Sequence, residues 1–138
     1  MLKIIRWLKQ YAKYFLAAWL LIIIIVSSTP SVPVLKIHTA KADIRLDYLF
    51  HFGEYGVLTF LTFLSFADNE FKMSYRKLIL ITLGLISFAI LDEVHQKLIP
   101  GRSFNVKDIL SNISGILAAL LFCSAVFKEL ARKAVEDV

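Results

Sequence analysis

The sequence predicts an all-α fold: a four-helix transmembrane bundle with both termini on the cytoplasmic side. Three observations carry that prediction. Hydrophobic residues make up 58% of the 138-residue chain and charged residues only 20%, with a mean hydropathy of +0.68. A water-soluble domain of this size could not cover so much apolar surface, so lipid must solvate most of it. The apolar residues also fall into four runs, each of about 20 residues, the length an α-helix needs to cross the hydrocarbon core. Helices are the only open-ended structures that satisfy every backbone group in lipid, and no strand-like alternation is present. Finally, Lys and Arg sit in the gaps between the runs, where membrane flanks require them. That placement, rather than a nucleic-acid partner, accounts for the net charge of +5.

The first span covers about residues 7–28, with Phe15 to Val26 at its centre. It ends at Thr29-Pro30-Ser31-Val32-Pro33, a strong helix stop. A basic start and an apolar centre also fit a signal peptide. However, Ala40-Lys41-Ala42 lies too far beyond the apolar core for cleavage, so an uncleaved span is expected. The second span covers about 48–67, the third about 77–99 and the fourth about 108–127. The third is apolar until Asp92. The connection from Thr29 to Asp47 is long enough for a small surface element. Residues 1–138 are expected to form one membrane domain. The single cysteine, Cys123, lies inside the fourth run and cannot form an intramolecular disulfide; a packing role fits it. Trp7, Tyr11, Tyr14 and Trp19 read mostly as interfacial or lipid-facing aromatics.

Orientation follows from the basic residues. With the N-terminus inside, ten of them fall on the cytoplasmic side: Lys3, Arg6, Lys9, Lys13, Lys72, Arg76, Lys77, Lys128, Arg132 and Lys133. Six fall outside: Lys36, Lys41, Arg45, Lys97, Arg102 and Lys107. The bias puts both termini in the cytoplasm.

This topology brings polar residues from three helix ends to the outer face. His51 and Tyr55, four residues apart, open the second helix. Glu93 and Gln96, three apart, share a side near the end of the third, while Asp92 and His95 point elsewhere. Asp108 and Asn112 open the fourth and continue a stripe through Gly115 and Ala119, whose small side chains permit close helix contact. That stripe is expected to face the third helix. Glu54 and Asp92 are expected to meet headgroups or water. Ionisable groups at membrane depth are expensive and tend to mark functional sites. Mutual hydrogen bonding that merely fixes the bundle is the competing reading.

The residues Asp47-x-x-x-His51-x-x-x-Tyr55, then Asp92-Glu93-x-x-Gln96-x-x-x-Pro100-Gly101-Arg102, then Asp108-x-x-x-Asn112-x-x-Gly115 resemble the VanZ-like family over about residues 47–121. One departure is Tyr48, where such proteins often carry a lysine after the aspartate. The family consists of small integral membrane proteins whose founding members are linked to low-level teicoplanin resistance. The resemblance therefore implies a multi-pass protein of the bacterial cytoplasmic membrane and a cell-envelope role. It supplies no reaction.

The residue types suggest what such a site can do. His51 is a candidate acid–base group, since imidazole titrates near neutrality. Glu93 and Asp108 are candidates to orient it or to serve as the second acid–base group. Arg102 can clamp a phosphate or carboxylate. Gln96 and Asn112 can position a substrate, and Tyr55 can wall it. Expected partners are the bilayer and either a lipid-linked cell-wall precursor or a lipid headgroup. The same groove could instead bind or shield such a ligand without turnover. His51, Glu93, His95 and Asp108 include metal-ligand types but lack a diagnostic spacing, so no metal site is assigned. No cofactor follows from the sequence.

Overall fold

The computed structural model describes residues 2–30, 36–38 and 43–136. Four helices dominate: α1 (Leu2–Ser27), α2 (Asp47–Phe66), α3 (Tyr75–Gln96) and α4 (Val106–Glu136). Each contains a stretch long and apolar enough to cross a membrane. The connection between α1 and α2 carries a short antiparallel pair, β1 (Lys36–His38) and β2 (Asp43–Arg45), with Ile37 opposite Ile44. Strands this short leave too little alternation to be read from sequence. The side chain of His38 lies outside the described residues.

Local chemistry sets the helix ends. Ser74 caps α3 by accepting the Lys77 amide at 3.4 Å. At its other end α3 stops at Gln96 rather than Ile99. There Ile99-Pro100-Gly101-Arg102 forms a tight turn, closed by the Arg102 amide on the Ile99 carbonyl at 3.1 Å. Pro100 in second place and Gly101 at φ 78° in third are the requirements of a type II turn. Asn105 precedes α4 and its side-chain oxygen accepts the Lys107 amide at 3.1 Å, which caps that helix. Beyond the expected Phe127 end, α4 continues through the charged C-terminal segment to Glu136.

Ser28 Oγ lies 3.1 Å from His95 Nε2, and His51 Nε2 lies 3.8 Å from Asp108 Oδ2. The C-terminal ends of α1 and α3 and the N-terminal ends of α2 and α4 therefore share one end of the bundle. Helix α2 is the centre: 33% of an apolar 18-residue stretch of it is buried, against 17–22% of the matching stretches of the others. Its closest neighbour is α4. A Cβ added to Gly115 would lie 2.1 Å from the Phe52 carbonyl oxygen, so only glycine lets the two backbones approach this far. The small-residue stripe of α4 thus presses Gly115 on α2, not on α3 as expected from sequence.

Two apolar clusters fill the interior. One, around Tyr55, Leu58, Leu85, Ala89, Ile116 and Ile23, joins all four helices below the polar end. The other lies toward the opposite end and includes Ala12, Phe63, Leu64, Phe71, Cys123 and Phe127. Thr59, Thr62 and Thr82 donate to the carbonyls four residues earlier at 2.7–2.8 Å. Their hydroxyls are satisfied within their own helices and add nothing to a polar site.

Candidate functional site

A cavity of about 660 Å³ opens at the polar end. Its polar rim includes Asp47, His51 and Glu54 from α2, Gln96 from α3, Arg102 from the turn and Asp108 from α4. Trp19, Ile22 and Val26 of α1 and Leu49, Phe50 and Val57 of α2 supply an apolar wall. The wall comes from the α1–α2 side, while α3 and α4 contribute only rim residues among the described residues. Trp19 belongs to the cavity rather than to the lipid belt alone; its indole N–H donates to the Glu54 carbonyl at 3.0 Å.

Two short chains of polar contacts organise the rim. In the first, Gln96 Nε2 donates to Asp92 Oδ2 at 3.0 Å, and Gln96 Oε1 accepts from the Arg102 guanidinium. The Pro100-Gly101 turn folds Arg102 back over the end of α3 to make this bond. Because a neutral amide holds it, the guanidinium keeps most of its five donors for other partners. In the second, Glu93 Oε1 accepts the Asn105 amide at 2.8 Å, and Asn105 Nδ2 donates to Asp108 Oδ1 at 3.0 Å. Asp108 in turn faces His51. Asn105 therefore does three things: it caps α4, engages Glu93 and holds Asp108.

The structure brings the seven candidate residues to one end of the bundle, in two layers. His51, Gln96, Arg102 and Asp108 line the cavity. Glu93, Asn112 and Tyr55 lie behind it, each with 0% of its surface exposed. Tyr55 is not a wall of the groove; it packs in the apolar cluster, 6.1 Å from the Phe88 ring. Asn112 sits one turn from Asp108, which meets His51, and one turn from Ile116, which clusters with Tyr55. It therefore faces α2 between those two contacts.

Sequence reasoning missed three residues. Asp92 is buried and holds Gln96, because the Gln96 side chain reaches back four residues rather than three. Glu54 lines the cavity three residues after His51, a spacing that puts both on one side of α2. Asn105, followed three residues later by Asp108, has the form of a helix N-cap signal. His95, by contrast, is exposed and bonded to Ser28, away from the cavity.

Several buried polar atoms at this end have no hydrogen-bond partner among the described residues: His51 Nδ1, Tyr55 Oη, Glu93 Oε2 and both side-chain atoms of Asn112. Asp92 interacts with the Tyr55 hydroxyl at longer range, without hydrogen-bond geometry. Orphaned atoms in an apolar interior are costly, so they argue against a purely structural network. Among the described residues, no three His, Cys, Asp or Glu side chains converge closely enough to hold a metal ion.

Four membrane-length helices with ionisable groups gathered at one end define a multi-pass α-helical membrane protein. The family described as VanZ/LLP1 matches residues 12–128, and the chain belongs to it. Comparison with curated proteins and with solved structures gives no match.

Proposed function

We propose that the polar end faces outward from the bacterial cytoplasmic membrane and acts on a lipid-linked or phosphate-bearing envelope substrate. The whole chain then acts as one membrane domain. The excess of basic residues on the opposite side supports this orientation. One observation carries the substrate class: a single cavity runs from an apolar wall of Trp19, Ile22 and Val57 to a rim of His51, Arg102 and Asp108. A chain-bearing ligand matches the wall, and a phosphate matches the guanidinium.

In this reading Arg102 anchors the phosphate and Gln96 fixes Arg102. His51 exchanges a proton with the reacting oxygen, oriented by Asp108 across 3.8 Å. Glu93 holds the start of α4 through Asn105, which keeps Asp108 in place. Lowered teicoplanin susceptibility is the envelope consequence implied by membership of the family. Binding without turnover is the second reading. It is favoured by the His51–Asp108 separation, longer than a hydrogen bond, and by Glu93 and Asn112 lying behind the cavity.

Lipid carried through purification tests the shared part of both readings. Phosphate-bearing lipid should be enriched on the wild type and lost from Arg102→Gln; identical lipid content in both would sink the proposal. His51→Gln separates the readings: it should retain lipid in either case but abolish turnover only if the protein is an enzyme. Teicoplanin susceptibility of a host expressing each variant reports the envelope role.

A further inference from the structure

The charges around the cavity do not suit a purely anionic ligand. Among the described residues, Asp47, Glu54 and Asp108 line it, against one guanidinium and one imidazole. Asp108 is engaged by Asn105 and His51, and Asp47 also interacts within the chain. Glu54 differs. This half-buried residue lines the cavity, yet no ion pair or hydrogen bond to its carboxylate occurs among the described residues. Asp92 and Arg102 are the charged groups that act on it at longer range. A half-buried carboxylate on the rim of an apolar wall is costly without a cation. The indole of Trp19 is fixed against the Glu54 backbone by its N–H bond to the Glu54 carbonyl at 3.0 Å. A carboxylate and an aromatic ring lining one cavity are the pair that recognises an ammonium group.

We propose that the cavity takes a zwitterionic, amine-bearing phospholipid, with its phosphate on Arg102, its ammonium on Glu54 and its chain between α1 and α2. The proposal rests on the phosphate-lipid reading above and narrows it. Ile22 and Val26 on α1 and Leu49, Phe50 and Val57 on α2 are all more than 40% exposed, so none of the other described residues covers the wall. Between His51 and Val57 the wall descends six residues of helix, about 9 Å at 1.5 Å per residue. That is over half of one leaflet of a hydrocarbon core about 30 Å thick. The lipid therefore enters sideways from the bilayer rather than from water.

Trp19 provides the readout. The chain has two tryptophans, and Trp7 lies on an exposed part of α1 away from the cavity. With Trp7→Phe as background, the protein in uncharged maltoside micelles is titrated with lipids carrying identical brominated chains. The headgroups are phosphatidylethanolamine, phosphatidylglycerol and uncharged diacylglycerol. Half-quenching of Trp19 should need about tenfold less phosphatidylethanolamine than phosphatidylglycerol, the scale of one charge-assisted contact. Diacylglycerol should be weaker than both. Glu54→Gln should erase the preference for the amine while keeping an unchanged helical circular dichroism spectrum. Arg102→Gln should bring both phosphate lipids to the diacylglycerol level. If phosphatidylglycerol quenches as well as phosphatidylethanolamine, the ammonium site is wrong and the phosphate reading stands. A preference that survives Glu54→Gln overturns the assignment to Glu54. If all three lipids quench alike, the phosphate reading itself fails.

Discussion

The two ends of the bundle are built on opposite principles. At the end away from the cavity, polar groups close on the backbone and on each other. Lys9 Nζ donates to the Ala67 carbonyl at 2.6 Å and the Leu64 carbonyl at 3.3 Å. Lys77 Nζ donates to the Phe66 carbonyl at 2.5 Å. Two basic side chains thus cover the last carbonyls of α2, which the helix itself leaves unbonded. Next to them the Phe63 and Phe127 rings stack with centroids 4.9 Å apart, and Phe71 stacks on Phe127 at 5.3 Å. Phe71 holds φ 59°, a left-handed conformation that this packing must stabilise. The cavity end instead buries acids, amides and a phenol, and leaves several of their atoms without partners among the described residues. One end is arranged for stability. The other keeps unmatched polar capacity inside an apolar solvent, which is costly unless a ligand uses it.

Substitutions can break or sharpen that contrast. The largest effect is expected at Gly115, which lies between the ends and holds α2 against α4. Gly115→Ala forces a Cβ onto the Phe52 carbonyl and should destabilise by about 3 kcal/mol. It should also impair lipid binding, because His51 and Asp108 sit on the two helices it separates. Thermal unfolding followed by circular dichroism, alongside lipid retention, checks both effects.

Phe127→Ala comes next. Lipid is as apolar as the core, so only packing and cavity terms count, about 2 kcal/mol. Stability should fall while lipid retention persists; loss of both would mean that the ends are not independent. Asn112→Leu should behave in the opposite way. It removes a buried amide with no partner among the described residues, so the bundle should gain about 1 kcal/mol in thermal unfolding, while lipid retention falls. A destabilised Asn112→Leu would return this residue to a structural role. Lys9→Met should be mildest, about 0.5–1 kcal/mol from the uncovered α2 carbonyls, with no effect on ligand.

The same contrast decides what could be read from the sequence. Hydropathy and length reveal four helices because lipid imposes both on any span. The convergence of His51, Glu93, Gln96, Arg102, Asp108 and Asn112 was legible because alternating helices must return their ends to one face. Side-chain reach was not. Gln96 extends back to Asp92, and spacing arguments that paired it with Glu93 alone excluded its true partner. Gly115 signalled close packing, but nothing in the sequence said that α2, rather than α3, would be the helix it meets. Tyr55 carries a polar tip on a large apolar body, and burial against Phe88 claimed the body. Asn105 looked like loop until α4 began beside it. The strand pair at residues 36–45 was too short to leave a pattern.

The central claim is that the cavity end holds an amphiphile rather than merely tying the helices together. A structure of the protein in lipid nanodiscs containing brominated phosphatidylethanolamine tests it most directly. Phosphate density is expected within hydrogen-bond reach of Arg102, with a brominated chain against Trp19 and Val57. A closed cavity, with Glu54 paired directly to Arg102 and no lipid between α1 and α2, would contradict it.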